Sequence, residues 1–286
     1  MTAVPLASGR IRRAARSVRH SDRLALAVVL VCALLILLAV LGPYLTPYPP
    51  AQTDVLAASQ GPSAQHLLGT DALGRDLLSR LMAGARLSFT GPLIIVAVSI
   101  TAGTTLAILS AWRGGWIDAL LTRAVNVMFA IPGVLIAIVA GAAFGAGFWA
   151  PVLALSLAYT PYVARVVRSA ALIERQLPYI EACELAGMSA WRICTRHVLP
   201  NVAPIILAQA TIGFGSALLD FGTTSFLGVG VQPPDADWGL ILSDGATQLL
   251  NGSLTQSLAA GLLIVVSVVA FNLLGERLSP DTGGHR

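Results

Sequence analysis

The chain reads Pro178-Tyr-Ile-Glu-Ala-Cys-Glu-Leu-Ala-Gly187-Met-Ser189-Ala-Trp-Arg-Ile-Cys-Thr-Arg-His-Val-Leu-Pro200 between two long apolar segments. Pro178 suits the first turn of a helix, where its missing N–H costs nothing. Gly187 fits the positive φ of a helix C-terminal cap, and Ser189 is a good N-cap for a following helix. We therefore predict two short helices joined by a tight glycine turn, the second covering about 190–198 until Pro200 ends it.

Such a two-helix projection has the shape of an element that docks into a groove on another protein. A re-entrant or interfacial hairpin without a partner has the same local pattern. The residues of this stretch leave both interpretations open.

The rest of the chain is dominated by apolar segments. It has 286 residues, 56% hydrophobic and 11% charged, against roughly 25% charged in soluble domains. A helix needs roughly 20 mainly apolar residues to cross a bilayer. We predict an all-α, polytopic membrane protein with about six spans, the third of which begins with the character of an interfacial helix. The predicted spans are 24–45, 88–112, 127–145, 148–167, 202–221 and 256–274.

The arginines orient these spans. Positive charge stays on the cytoplasmic side of a membrane. With the N-terminus inside, fifteen of the eighteen arginines fall in the cytoplasm and only Arg75, Arg80 and Arg86 fall outside. We therefore expect both termini to be cytoplasmic. The first apolar run is too long for a cleaved signal peptide.

This orientation divides the chain into segments. An arginine-rich cytoplasmic leader (1–23) precedes a transmembrane domain (24–278), and a short cytoplasmic tail (279–286) follows it. The domain carries an external segment at 46–87, a cytoplasmic loop at 168–200 and an external loop at 223–255. In the external segment we expect a turn and then a short amphipathic helix ending near Leu87, because leucines recur there at helical spacing.

No pattern for catalysis or cofactor binding is found in the sequence. There is no GxxxxGK[ST] phosphate loop, and the three cysteines have no zinc spacing. The four histidines are scattered. We predict a chain that is not an enzyme, that binds no metal or cofactor of its own and that has no nucleic-acid partner.

Asp220 is the one acidic residue inside a predicted span, at the outer end of the fifth. A carboxylate within the membrane is a functional-site hypothesis by default. It could face a pore and meet a peptide amino terminus, support a packing contact, or sit among lipid headgroups. Weaker candidates of the same kind are Gln209, Asn126, Thr160 and Tyr159.

A resemblance bears on the two-helix stretch. Glu181-Ala182-Cys183, then Gly187 and finally Val198-Leu199-Pro200 resemble the "EAA" loop of ABC importer permeases. Cys183 replaces the second alanine of that pattern, and His197 stands where isoleucine is common. The resemblance implies that the 181–200 loop couples to an ATPase subunit, through a set of residues comprising Glu181, Ala182, Cys183, Gly187, Ser189, Leu199 and Pro200.

Three further segments resemble the C-type permease of dipeptide and oligopeptide importers: 66–80, 226–245 and 271–275. The resemblance implies a type I importer permease in the bacterial plasma membrane, forming half of the translocation pathway for peptides. Its implied partners are membrane lipid, a homologous B-type permease, ATPase subunits that bind ATP and Mg, and an extracytoplasmic solute-binding protein.

The external loop 223–255 has two interpretations. It could form a rim that meets the binding protein or guides substrate, or it could be a solvated loop with a tryptophan at the membrane interface. The residues concerned are Gln232, Pro233, Pro234, Asp235, Asp237 and Trp238.

Alternatives to a peptide importer remain. The same importer class also carries haem and nickel chelates. An ion-gradient-driven secondary transporter would need charged residues at mid-membrane, for which only Asp220 argues. A membrane scaffold would not need the two-helix projection.

Overall fold

The computed structural model describes residues 8–250 and 252–278, with side chains from residue 24 onward except that of residue 250. The predicted tail at 279–286 and the first seven residues of the leader lie outside this range. Within it, every regular element is helical, as predicted. The α-helices are α1 (Ser8–Leu41), α2 (Leu77–Arg113), α3 (Gly115–Met128), α4 (Gly133–Phe144), α5 (Trp149–Arg175), α6 (Pro178–Leu185), α7 (Ala190–Ile193), α8 (Leu199–Phe226), α9 (Trp238–Leu250) and α10 (Thr255–Leu278).

Five helical stretches are long and apolar enough to cross a membrane, namely 24–44, 77–113, 149–175, 190–226 and 255–278. The predicted third span at 127–145 is not one straight helix. Instead α3 and α4 meet at an angle of 77°. The break falls at Pro132, which directly precedes α4 and disfavours helical backbone at the residue before it. Counting this bent pair as one span gives six.

The second span is longer than predicted. We expected a separate amphipathic helix ending near Leu87, and that prediction is wrong, because α2 is one helix of 37 residues. Its start is fixed by Asp76, whose Oδ2 accepts a hydrogen bond from the backbone N–H of Ser79 at 2.8 Å. No proline separates that cap from the apolar part of the span, and Gly84 is accommodated within the helix, so the leucine stripe continues directly into the span.

Pro200 does not end a helix as predicted. A single π-helical turn at 194–198 joins α7 to α8, and Pro200 occupies the first turn of α8. The N–H of Leu199 bonds to the carbonyl of Cys194 in this wider turn, and a proline in a first turn leaves no donor missing. The chain therefore passes from α7 into the span without a break.

The predicted loop at 223–255 is also more ordered than expected. The helix α8 continues to Phe226, and α9 folds back against the bundle. Among the described residues of this loop, 227–237 and 252–254 are not helical. The first of these stretches contains Pro233 and Pro234, which lack the backbone N–H that a regular helix needs.

The bundle is built on α2, α5, α8 and α10. Small residues allow its helices to approach closely, as is usual in membranes. A Cβ atom at Gly103 of α2 would lie 2.7 Å from the Cβ of Val163 of α5. Where α2, α8, α9 and α10 meet, the rings of Phe89, Phe214, Phe271 and Trp238 form one cluster, with centroid separations of 4.4–5.9 Å for the contacting pairs.

The helix α6, the glycine turn and α7 lie at one end of the bundle. We call residues 178–193 the knob. There the Nη1 of Arg175, at the end of α5, donates to the carbonyls of Ala111 at 2.6 Å and Trp112 at 2.8 Å at the end of α2. The segment before α2 packs at the opposite end with α9.

Candidate functional site

The turn in the knob has the geometry predicted for it. Gly187 has φ of +76°, and its N–H donates to the carbonyl of Glu184 at 2.9 Å. The N–H of Met188 donates to the carbonyl of Cys183 at 3.1 Å. These two bonds form a Schellman motif, which ends a helix with a left-handed residue. Ser189 occupies the predicted N-cap position of α7, although its side chain makes no capping hydrogen bond.

The knob is attached to the bundle by buried apolar residues. Ile180 of α6 and Ile193 of α7 are fully buried and pack in one cluster with Val163, Val167 and Val202 of the long helices. Side chains of this kind interlock as in a protein interior. The knob is therefore packed against α5 and α8 and is not a loose loop.

A polar contact holds the base of the knob. The Nδ2 of Asn201 donates to the Oε1 of Glu174 at 2.6 Å and to the hydroxyl of Tyr179 at 2.9 Å, and the Tyr179 hydroxyl also donates to Glu174. These residues come from the end of α5, the start of α6 and the start of α8. The contact thus fixes the points at which the chain enters and leaves the knob.

The tip of the knob is exposed and partly apolar. Leu185 is 83% exposed and Trp191 79% exposed, and Glu181 and Ala182 are exposed beside them. Cys183 and Leu199 are half-buried, whereas Pro200 is exposed. Large apolar side chains that project from a well-anchored element are typical of a protein interaction site.

The structure also brings together two polar residues predicted within the spans. The hydroxyl of Tyr159 on α5 donates to the Oδ2 of Asp220 on α8 at 2.8 Å. Both side chains line a cavity of about 350 Å³. The other candidates lie elsewhere. Asn126 accepts a hydrogen bond from Arg165 at 2.9 Å, and Thr160 donates to the carbonyl of Ser156 in its own helix.

The rim candidates separate into two groups. Pro233, Pro234 and Asp235 are exposed, and Gln232 is half-buried. Asp237 and Trp238 do not lie on a rim, because both are fully buried.

Buried Asp237 and Trp238 have structural contacts at the start of α9. The indole N–H of Trp238 donates to the carbonyl of Leu81 at 2.9 Å. The Oδ1 of Asp237 accepts from the N–H of Leu240 at 2.9 Å. Burial raises the pKa of Asp237 to about 6.

A charged network at the opposite end from the knob was not predicted. The Oδ2 of Asp71 lies 2.6 Å from the Nε of Arg75 and 3.0 Å from the Nη1 of Arg80. The Oδ2 of Asp244 on α9 lies 3.4 Å from the Nη2 of Arg75 and 3.2 Å from the Nη2 of Arg80. Burial raises the pKa of Asp244, and the charge of Arg75 opposes that shift. The contact between Asp71 and Arg75 could have been predicted from their four-residue spacing. No sequence signal indicated that the distant Asp244 would join them.

The fold resembles that of a solved importer permease. A chain from a structure described as inward-facing conformations of the MetNI methionine ABC transporter superposes with a TM-score of 0.57 at 20% identity, covering 70% of this chain and 94% of that one. The molecule thus shares the all-helical fold of that transporter chain.

The sequence comparisons define the family. A model described as "binding-protein-dependent transport system inner membrane component" matches residues 103–283, and one described as the N-terminal transmembrane domain of oligopeptide transport permease C matches 12–62. The chain belongs to this family of inner-membrane permeases, in its peptide-transport branch.

Curated relatives span nearly all of the chain. A dipeptide transport system permease of Alkalihalophilus pseudofirmus is 36% identical, covering 90% of this chain and 84% of the relative. A di/tripeptide transport system permease of Pseudomonas aeruginosa is 37% identical, with coverages of 89% and 86%. A glutathione transport system permease of Pectobacterium atrosepticum is 36% identical, with coverages of 90% and 85%.

Membership in the family settles several predictions. The chain is a multi-pass inner-membrane protein and a permease subunit of a peptide ABC importer. It is not a catalyst and carries no cofactor of its own. A transporter of this type works with an ATPase and with a solute-binding protein.

Proposed function

We propose that this chain forms half of the translocation pathway for short peptides and couples to the ATPase through the knob. A homologous permease of the B type would form the other half, and membrane lipid would surround both. The knob would face the cytoplasm, as would both termini. The observation that carries the proposal is that the knob combines a rigid base with an exposed apolar tip.

The buried attachment of the knob explains how a movement of the ATPase would be transmitted to the spans. Ile180 and Ile193 are buried among residues of α5 and α8, so displacement of the knob displaces those helices too. Closure of the ATPase with bound nucleotide would then favour one arrangement of the spans over another. This is a shift between two states, driven by the difference in their stability with nucleotide bound.

The tip explains which surface would be recognised. Ala182 and Leu185 on α6 and Trp191 on α7 are exposed, and Glu181 adds a charge beside them. An apolar centre with charged neighbours is the composition of a protein–protein contact. In importers of this family the partner for such a tip is the ATPase subunit, and we take the docking surface to be a groove on it.

The chemical class of the solute follows from the relatives, which are named for dipeptides, di/tripeptides and glutathione. Haem and nickel chelates are the alternatives within the same importer class. A secondary transporter driven by an ion gradient is less well supported, because it would need charged residues at mid-membrane. Asp220 is the one acidic residue inside a predicted span, and Asp118, at the start of α3, is paired with Arg168 at 2.5 Å.

The test is transport by the complete importer reconstituted in liposomes with its binding protein. Ala182→Trp should abolish both peptide uptake and the ATP hydrolysis that the loaded binding protein stimulates, because the indole would not fit the groove. Leu258→Trp, at an exposed position of α10, is the matched control and should transport normally. Normal uptake by Ala182→Trp would exclude the knob as the coupling element.

The solute and the energy source need separate measurements. Wild-type importer should take up a radiolabelled dipeptide on addition of ATP, and dissipating the ion gradients should not slow it. Uptake that requires an ion gradient, or uptake of haem but of no peptide, would contradict the proposed function.

A further inference from the structure

A half-open cavity on the side of the helix bundle places a carboxylate where a solute could reach it. The cavity lies between α4, α5 and α8 and has a volume of about 350 Å³. Its lining includes Gly133, Tyr159, Tyr162, Ser216 and Asp220. Asp220 lies six residues before the end of α8, which is about 9 Å along the helix. The helix of the fifth span therefore continues beyond Asp220, which the sequence placed at the outer end of that span.

The carboxylate of Asp220 has an incomplete set of partners. One oxygen accepts the hydroxyl of Tyr159 at 2.8 Å, and no cationic side chain within 24–249 or 252–278 pairs with it. By contrast, Asp118 binds Arg168 through both of its oxygens, at 2.6 and 2.5 Å. A carboxylate held in a membrane span without a cation is costly. Its position beside a cavity therefore points to a cationic ligand that binds there.

We propose that Asp220 and Tyr159 form a binding site for the α-ammonium group of the transported peptide. This inference rests on the proposed function. A peptide ammonium carries a positive charge and three N–H donors, which match the free acceptor sites of the carboxylate. The rings of Tyr159 and Tyr162 supply an amphipathic wall for the first residue of the peptide.

The hydrogen bond from Tyr159 sets the strength of the site. A permeating solute must be bound firmly enough to enter and weakly enough to leave. A bare carboxylate in a low-dielectric cavity attracts a cation strongly. The hydroxyl of Tyr159 already stabilises the negative charge, so the ammonium is held less tightly and can pass on.

The carboxylate can be tested without transport, by reaction of a cysteine one helical turn away. In Ser216→Cys, a positively charged thiosulfonate reagent should react faster than a negatively charged one of similar size. Adding Asp220→Asn should lower the ratio of the two rates about tenfold or more, since a nearby charge acts strongly at the effective dielectric of a protein. The chain without the Ser216 substitution supplies the background from Cys183, which is half-exposed. A ratio that Asp220→Asn leaves unchanged would overturn the proposal.

The ammonium specificity can be tested on the same cysteine. A dipeptide with a free amino group should slow labelling of Ser216→Cys in the purified importer, and its N-acetylated form should not. Equal protection by both forms would show that the cavity does not recognise the ammonium, which would overturn the proposal.

Transport by the reconstituted importer gives the third measurement. Asp220→Asn should lower the maximal uptake rate at saturating loaded binding protein about tenfold or more while leaving basal ATP hydrolysis intact, and Asp220→Glu should recover part of the rate. The same charge removal at Asp54, which is exposed in the segment before α2, should have no effect. Wild-type uptake by Asp220→Asn would overturn this inference alone, whereas a wild-type importer that takes up no peptide would overturn the proposed function.

Discussion

Gly187 is a residue whose role depends on its backbone conformation alone. Its φ is +76°, and no atom outside its immediate neighbours lies within 4 Å of the position that a Cβ would occupy. A side chain there meets open space, so any effect of substitution comes from the left-handed backbone. That conformation costs an L-residue roughly 1–2 kcal/mol, and asparagine tolerates it best.

We therefore expect Gly187→Val to disturb the direction of α7 and Gly187→Asn to preserve it. A penalty of that size changes a conformational ratio about 5–30-fold. ATP hydrolysis stimulated by the loaded binding protein should fall about fivefold or more in Gly187→Val and less than about twofold in Gly187→Asn. Equal activity of the two variants would show that the turn conformation does not matter for coupling.

The stability of the fold depends on pH through the buried carboxyl group of Asp237. Its pKa in the folded chain is raised to about 6 by burial, so the folded state holds the proton more tightly than the unfolded state does. The resulting stabilisation is complete below the unfolded pKa near 4 and is lost as the pH rises through about 6. A shift of about two units corresponds to ~3 kcal/mol.

Asp237→Asn keeps an oxygen to cap α9 and removes the titration. We expect the melting temperature of the variant, relative to that of the wild type, to rise between pH 5 and pH 7.5. The comparison cancels every other titrating group. A difference in melting temperature that does not change with pH would contradict the burial of an ionisable Asp237.

At the scale of elements, the charged network joins the segment before α2 to α9. Arg80 is 1% exposed and contacts both Asp71 and Asp244. Removing one partner from a buried ionic contact costs about 3–5 kcal/mol, because the remaining charges stay buried without compensation. The network therefore holds α9 over the end of the bundle.

Arg80→Ala should lower the melting temperature of the purified importer and expose α9 to proteolysis. Arg86→Ala is the matched control, since Arg86 lies on the same helix but is exposed, and its effect should be within about 0.5 kcal/mol. Equal stability of the two variants would mean that the network contributes nothing to the position of α9.

Comparison of the predicted and observed elements shows which features the sequence could predict. The apolar runs and the Gly187 turn were predictable, because each depends on residues close together in the chain. The continuity of α2 was not, since the leucine stripe before the span has the same helical spacing as a separate surface helix. The contact of Arg80 with Asp244 was not either, because 164 residues separate them and no local pattern specifies a partner at that distance.

The residues of the candidate site were predictable one by one, but the contact between them was not. Asp220 and Tyr159 were each recognisable as polar residues in apolar spans. Their meeting depends on how α5 packs against α8, which residue types alone do not determine. The burial of Trp238 was missed for a similar reason, because a tryptophan beside prolines is equally typical of a membrane interface.

For the whole molecule, the knob and the charged network lie at opposite ends of α2, with the Asp220 cavity between them. The distribution of arginines then predicts that the knob end faces the cytoplasm and the charged-network end faces outside. A tag at either terminus should be reachable only from the cytoplasm, and a cysteine in Pro234→Cys only from outside. Labelling of a C-terminal tag in sealed cells by an impermeant reagent would contradict this orientation.

The central claim is that the knob docks on the ATPase, and disulfide cross-linking tests it most directly. In a Cys183→Ala background, Ala182→Cys should form a disulfide with single cysteines placed along the groove of the ATPase. The yield should differ between the nucleotide-free and the ATP-bound importer. Leu258→Cys, on an exposed face of α10, should form none. An intact importer in which Ala182→Cys cross-links to no position on the ATPase in either state would contradict the claim.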